Sequence, residues 1–125
     1  MVKSILIVGI GGFLGSASRF LISLYFQIYS ASVFPWGTLS VNIIGSFLIG
    51  IFSGISEKGN FMSPEWHIFF TLGLCGGFTT FSSFSNDAFL LLQSKEFLRF
   101  ATYSGLSFFL GLVAVYLGRL TIKII

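Results

Sequence analysis

Two phenylalanines and one asparagine lie inside strongly apolar segments, where their side chains could contact a small anion. Phe81 and Phe84 are three residues apart and therefore share one face of a helix. Aromatic rings have an electropositive edge, and edges turned toward a narrow polar path stabilise an anion without a fixed counter-charge. Asn42 adds an amide with two N–H donors. Taken alone, a phenylalanine pair more often packs in a core or against lipid, and an asparagine often joins two helices.

A glycine-rich segment that leads into the phenylalanines predicts an interrupted helix. It runs from Gly73 to Ser85 and reads GLCGGFTTFSSFS. The adjacent Gly76 and Gly77 weaken a helix, and backbone groups freed in a bilayer must be buried in protein or line a watery cavity. The freed carbonyls of Gly76 and Thr79 could then coordinate a hard cation. The alternative is a simple kink in which serines bond back to the helix.

The composition requires lipid, rather than water, to cover most of the protein. Of the 125 residues, 54% are hydrophobic and 9% are charged, and the mean hydropathy is +0.94. Soluble domains are about 25% charged. The basic residues are scattered near the ends of apolar runs, whereas nucleic-acid binding needs a clustered basic face. A single cysteine, Cys75, allows no disulfide within the chain.

Four apolar runs predict an all-α membrane protein with four transmembrane helices. The expected helices cover residues 4–26, 36–55, 66–93 and 100–123, and together they make residues 1–125 a single transmembrane domain. A spanning helix needs about 20 residues, so the third run is too long for a plain span. We expect it to form two half-helices around a break near residues 75–80. Four short helices enclose little interior, which favours an oligomer.

The basic residues divide almost evenly between the two ends of the expected helices. One side has four and the other has three, namely Lys3, Lys58, Arg119 and Lys123 against Arg19, Lys95 and Arg99. The positive-inside rule gives such a chain only a weak preferred orientation. A chain that inserts in both directions can form an antiparallel dimer, similar to an inverted repeat made from two copies.

Three motifs together resemble those of the Fluc (CrcB) family of fluoride channels. They are Gly11 to Gly15 continuing to Arg19, Gly37 to Gly45 containing Asn42, and Gly76 to Ser85, and the match covers nearly the whole chain. The resemblance implies a passive fluoride-selective channel that exports fluoride from the cytoplasm across the cell inner membrane and reduces its toxicity. It also implies an antiparallel, dual-topology homodimer with two pores and a central structural sodium ion.

The resemblance also implies roles for individual residues. The expected fluoride pore contains eight residues: Arg19, Thr38, Asn42, Phe81, Ser82, Ser83, Phe84 and Ser107. Thr38 is included because it lies one helical turn from Asn42. The sodium ion is expected on the backbone carbonyls of Gly76 and Thr79 from both subunits. Two positions depart from the family pattern, since Asp87 replaces a common glutamate and Gly111 replaces a common hydroxyl residue.

Other classes of function fit the sequence less well. A compact exporter of small molecules usually needs a membrane-embedded carboxylate for proton coupling, and Asp87 is the acidic candidate inside an expected span. A purely structural subunit would not need an asparagine, a phenylalanine pair and a broken helix at one depth. An enzyme is not expected, because the sequence shows no pairing of nucleophile and base and no metal-ligand cluster.

Overall fold

Helices form all the regular structure in the computed structural model, which describes residues 1–30, 33–59 and 62–125. We number the α-helices α1 to α6 in chain order, and a π-helical segment lies between α3 and α4. Their bounds are α1 Val2–Tyr29, α2 Trp36–Lys58, α3 Pro64–Ile68, the π-helical segment Phe69–Cys75, α4 Gly76–Phe78, α5 Phe81–Gln93 and α6 Phe97–Ile124.

Four helical stretches are long and apolar enough to cross a membrane. Three of them are α1, α2 and α6, and the fourth is Pro64–Gln93, which contains the shorter helices. The all-α architecture with four membrane-capable helices is therefore confirmed. Each stretch is somewhat longer than the apolar run that predicts it, because polar residues at helix ends can extend into the headgroup region. For example, α6 begins at Phe97 rather than at residue 100.

Glycines allow α1 to pack closely against the π-helical segment and α4. A Cβ atom on Gly11 would lie 2.7 Å from the carbonyl oxygen of Phe69, and one on Gly15 would overlap the carbonyl oxygen of Leu74. By contrast, a Cβ on Gly9 would meet no atom within 4 Å. Small residues let helix backbones approach in lipid, where close packing replaces the hydrophobic effect.

The second closely packed pair is formed by α2 and α6. A Cβ on Gly50 would overlap the backbone of α6, and one on Gly118 would overlap the backbone of α2. At the end of this pair, Arg119 forms an ion pair with Glu57, and Nζ of Lys58 donates to a carbonyl of α6 at 3.1 Å. The two helices are thus joined by backbone contact along their length and by polar contacts at one end.

A small apolar core lies between α2, α5 and α6. Its buried members are Phe34, Leu39, Ala88, Leu91 and Tyr103. The outer faces of the helices remain apolar and exposed, as expected for contact with lipid or with a second subunit.

Candidate functional site

The third membrane-capable stretch departs from helical geometry at Thr79 and Thr80. Thr79 has φ −83° and ψ 159°, and Thr80 has φ −152° and ψ 124°, so both are extended. Gly76 is helical, with φ −62° and ψ −38°, and Gly77 lies within α4. The paired glycines are therefore not themselves unwound. Gly77 instead permits close contact, since its Cβ would lie 2.9 Å from the Cα atom of Gly12 on α1.

The extended backbone of Thr80 pairs with the side-chain amide of Asn42 on α2. The N–H of Thr80 donates to Oδ1 of Asn42 at 2.8 Å, and Nδ2 of Asn42 donates to the carbonyl of Thr80 at 3.0 Å. One amide thus satisfies both polar groups of one residue, as a neighbouring strand would. Asn42 therefore joins two helices, which is one of the two roles that the sequence allows for it. It uses one of the two N–H donors on Nδ2.

The side chain of Thr80 caps the helix that carries the phenylalanines. Its Oγ1 accepts from the backbone N–H of Ser83 at 3.1 Å and lies 3.2 Å from Oγ of Ser82. The first turn of a helix has N–H groups without helical partners, and a threonine cap satisfies one of them. The start of α5 is therefore held through both the backbone and the hydroxyl of Thr80.

Arg19 reaches the same region from α1. Its Nε donates to the carbonyl of Gly77 at 3.2 Å, and the hydroxyl of Ser16 donates to the same oxygen at 3.4 Å. The carbonyls at the end of a helix lack helical partners and carry partial negative charge. The guanidinium of Arg19 is thus placed where it compensates that charge.

A cavity of about 490 Å³ lies beside the extended residues. The residues around it include six of those that the sequence singles out: Asn42, Gly76, Thr79, Phe81, Phe84 and Ser107. Further hydroxyl groups come from Ser46, Thr71 and Ser104. Sequence reasoning missed Ser46 as a site residue, although its position one helical turn after Asn42 was a usable signal. The hydroxyl of Thr71 donates back to a helix carbonyl at 2.7 Å, so it is not a free donor.

The two phenylalanines beside this cavity differ in how firmly they are held. Phe84 packs against the buried Tyr103, with ring centroids 5.1 Å apart, whereas Phe81 is 78% exposed in the single chain. Their own ring centroids are 5.9 Å apart. Phe84 is therefore anchored in the core of the subunit, and Phe81 presents its ring on the surface.

Comparison with known proteins identifies the family. The sequence profile of the family described as "CrcB-like protein, Camphor Resistance (CrcB)" matches residues 6–119. The chain belongs to the CrcB family. This membership confirms the resemblance that the three motifs indicate.

Curated relatives of this CrcB chain match it over nearly its full length. A protein of Flavobacterium psychrophilum named "Fluoride-specific ion channel FluC" is 46% identical over 97% of this chain and 98% of its own length. Proteins with the same name are 45% identical in Chlorobium chlorochromatii, covering 95% of this chain and 92% of the relative, and 46% identical in Bacteroides fragilis, covering 93% of each. With its four membrane-capable helices, the CrcB chain is a multi-pass membrane protein.

The remaining predicted residues of the CrcB chain do not all meet at this cavity. Thr38 lines a second cavity of about 490 Å³ together with Asp87. Arg19, Ser82 and Ser83 are not among the residues that line either cavity. Asp87, the carboxylate that an exporter would need, accepts a hydrogen bond from the hydroxyl of Tyr103 at 3.4 Å.

Ser107 has a distinctive environment in the cavity wall. Its hydroxyl is buried and has no hydrogen-bond partner within the described part of the chain. A buried polar group without a partner is costly, and such groups in native proteins call for an explanation. Ser107 is among the residues that line the cavity, but its hydroxyl oxygen has almost no accessible surface, so the side chain must rotate toward the cavity before the hydroxyl can bind an ion there.

Backbone oxygens, rather than acidic side chains, are available for a cation. The described residues contain no group of three or more His, Cys, Asp or Glu side chains that could hold a metal ion. Gly76 and Thr79 line the cavity, and Gly76 is exposed on the surface of the single chain. Neutral carbonyl oxygens are suitable ligands for a hard cation.

Proposed function

We propose that this CrcB chain is the subunit of a fluoride-selective channel that exports fluoride passively from the cytoplasm across the cell inner membrane. The observation that carries this proposal is the convergence of Asn42, Phe81, Phe84 and Ser107 on one cavity. The names of the full-length relatives, each a "Fluoride-specific ion channel FluC", support it. Passive export would lower the fluoride concentration in the cytoplasm and so reduce fluoride toxicity.

The chemistry of the cavity suits weak binding of a small anion. Asn42 retains one amide N–H beyond its bond to Thr80, and the hydroxyl of Ser107 is unpaired in the described chain. The rings of Phe81 and Phe84 add electropositive edges. The described residues that line the cavity include no Lys or Arg. Neutral donors can replace part of the water around fluoride and still release the ion, as conduction requires.

We further propose that the working unit is an antiparallel homodimer of dual topology with two pores. Phe81 and Gly76 both line the cavity, yet both are exposed in the single chain. A second subunit that completes the cavity wall would cover them. The near-even division of basic residues between the two ends supports insertion in both directions.

A structural sodium ion between the subunits completes the proposal. The carbonyls of Gly76 and Thr79 from two subunits would supply four neutral oxygens, which suit a hard monovalent cation. The ion would supply positive charge near the centre of the dimer, where a low dielectric constant lets that charge attract anions over a distance.

Fluoride efflux from liposomes tests the proposed channel activity. Purified protein is reconstituted into vesicles loaded with potassium fluoride or potassium chloride, and a potassium ionophore starts the release. We expect rapid fluoride release and no measurable chloride release, without an imposed proton gradient. Equal release of the two anions, or release that requires a proton gradient, would contradict the proposal.

A further inference from the structure

The extended residues redirect two backbone donors away from the helix. In a continued α-helix, the N–H of Thr80 would bind the carbonyl of Gly76, and the N–H of Ser83 would bind that of Thr79. Here Thr80 donates to Oδ1 of Asn42 at 2.8 Å, and Ser83 donates to Oγ1 of Thr80 at 3.1 Å. The carbonyls of Gly76 and Thr79 are therefore each without the backbone N–H that a helix would supply, because that N–H binds a side-chain oxygen instead.

Neighbouring carbonyls of the same segment are occupied within the chain. Three of them have donors at ordinary hydrogen-bond distances: Cys75 with Thr79 at 3.0 Å, Gly77 with Arg19 at 3.2 Å, and Thr80 with Asn42 at 3.0 Å. The two carbonyls that lose their donors are the two that the proposed sodium site requires. Their availability thus follows from two specific side-chain acceptors.

We propose that Asn42 and Thr80 are positioning residues for the cation site. Oδ1 of Asn42 keeps the carbonyl of Gly76 available by holding the N–H of Thr80. The hydroxyl of Thr80 keeps the carbonyl of Thr79 available by holding the N–H of Ser83. This inference rests on the proposed sodium ion and goes beyond it, because neither side chain is itself a ligand of the ion.

The inference gives the two ends of the Asn42 amide different tasks. The oxygen serves the cation site through Thr80, and the remaining N–H of Nδ2 faces no acceptor that the described chain provides. Asn42→Asp keeps an oxygen acceptor for the N–H of Thr80, but it loses the amide donors and places its second oxygen against the carbonyl of Thr80, whereas Asn42→Ala loses the acceptor and the donors. We therefore expect Asn42→Asp to lose fluoride efflux, and Asn42→Ala to lose both fluoride efflux and sodium binding.

A matched set of variants tests the hydroxyl of Thr80. Thr80→Ser retains the cap and Thr80→Ala removes it. Ser85→Ala removes a hydroxyl from an exposed position on the same helix and serves as the control. We expect Thr80→Ser and Ser85→Ala to bind sodium as the unmodified protein does, and Thr80→Ala to bind it more weakly.

Sodium binding is measured as ligand-dependent thermal stability. The purified dimer is melted at increasing sodium chloride, with N-methylglucamine chloride keeping the ionic strength constant, and the rise of the midpoint gives an apparent sodium affinity. Thr80→Ala and Asn42→Ala should require about tenfold more sodium, the effect of losing one or two ordinary hydrogen bonds. Fluoride efflux is measured separately on the same preparations.

Two results would overturn the inference while leaving the channel proposal intact. One is an unchanged sodium requirement in Thr80→Ala or Asn42→Ala. The other is loss of the sodium response in Thr80→Ser, which retains the hydroxyl that holds the N–H of Ser83, a comparison that remains informative if an alanine variant does not fold. If the unmodified protein conducts fluoride but shows no sodium-specific stabilisation, the sodium site and this inference both fail, and the fluoride channel stands.

Discussion

Nε of Arg19 donates a hydrogen bond to the carbonyl oxygen of Gly77 at 3.2 Å. This bond joins α1 to the end of α4 and explains how a permanent charge is accommodated inside an apolar helix. The guanidinium cannot lose its proton, and the carbonyls at a helix end carry partial negative charge. Arg19 therefore supports the interrupted segment, in addition to the vestibule role that the family resemblance implies.

Replacement of Arg19 by methionine should lower the stability of the subunit. Methionine has a similar length and no donor, so Gly77 would lose a charge-assisted hydrogen bond worth about 1.5–3 kcal/mol. Arg99→Met is the control, because Arg99 forms an exposed ion pair with Glu96 at 3.1 Å, and such pairs contribute about 0–1 kcal/mol. Unfolding at increasing concentrations of a denaturing detergent measures the stability of both variants. Equal losses in the two variants would show that the contact with Gly77 is unimportant.

A methyl group should have opposite effects at two glycines of α1. Gly15→Ala would place Cβ against the carbonyl of Leu74, and overpacking of this kind costs about 1–3 kcal/mol. Gly9→Ala meets nothing within 4 Å, and alanine is favoured over glycine in a helix by about 1 kcal/mol. The yield of folded protein and its melting temperature should therefore fall for Gly15→Ala and hold or rise for Gly9→Ala. A harmless Gly15→Ala would disprove the close packing of α1.

Isoleucine at the two phenylalanines should separate conduction from stability. Phe81→Ile and Phe84→Ile should each lower fluoride efflux about tenfold, because a ring contact of about 1.4 kcal/mol corresponds to that factor. Phe84→Ile should also lower the melting temperature, since Phe84 packs on Tyr103. Phe81 is 78% exposed in the single chain, so its replacement should leave the subunit folded.

The control for the phenylalanine variants is Phe89→Ile, on the same helix and 59% exposed. Phe89 does not line the cavity, so its replacement should leave efflux unchanged. Fluoride efflux at the unmodified rate in both Phe81→Ile and Phe84→Ile would show that the rings do not contact the conducted ion.

Removal of the Ser107 hydroxyl should lower efflux without lowering stability. The hydroxyl is buried without a partner in the described chain, so Ser107→Ala relieves a desolvation cost of about 1–3 kcal/mol. We expect an unchanged or higher melting temperature together with a severalfold drop in fluoride efflux. If stability falls instead, Ser107 has a structural partner in the assembled protein. If efflux is unchanged, the hydroxyl does not contact the ion.

The sequence predicts the helices and the family well because both depend on local patterns. Apolar runs of sufficient length identify four membrane-capable helices, and the glycine motifs identify CrcB. The pairing of Asn42 with Thr80 could not be predicted, because it joins residues 38 positions apart and depends on how α2 packs. The sequence also predicts that Gly76 and Gly77 interrupt the helix, whereas the interruption lies at Thr79 and Thr80. Gly77 remains helical and packs against α1.

Thr38 shows a further limit of periodicity. It shares a helix face with Asn42 in the sequence, yet it lines the second cavity with Asp87. One helical turn is about 5.4 Å along the axis, which is enough to separate two cavities within a membrane. Spacing predicts which residues share a face, but the neighbouring helices determine where a cavity ends.

The last prediction concerns the orientation of the chain in the membrane. Ser56→Lys combined with Ile125→Lys would raise the first side from four basic residues to six, against three on the other. Lys3→Gln and Lys123→Gln, with Gln93→Lys and Ser94→Lys, would reverse the bias to two against five. Because short-loop Lys and Arg residues set topology, each variant should insert in a single orientation, which a tag accessible from one side of the membrane reports.

Growth of a fluoride-sensitive bacterium in fluoride then measures function. Each biased variant alone should give little resistance, since it cannot form an antiparallel pair, and the two expressed together should restore resistance. Full resistance from either variant alone would show that the channel does not require two opposite orientations.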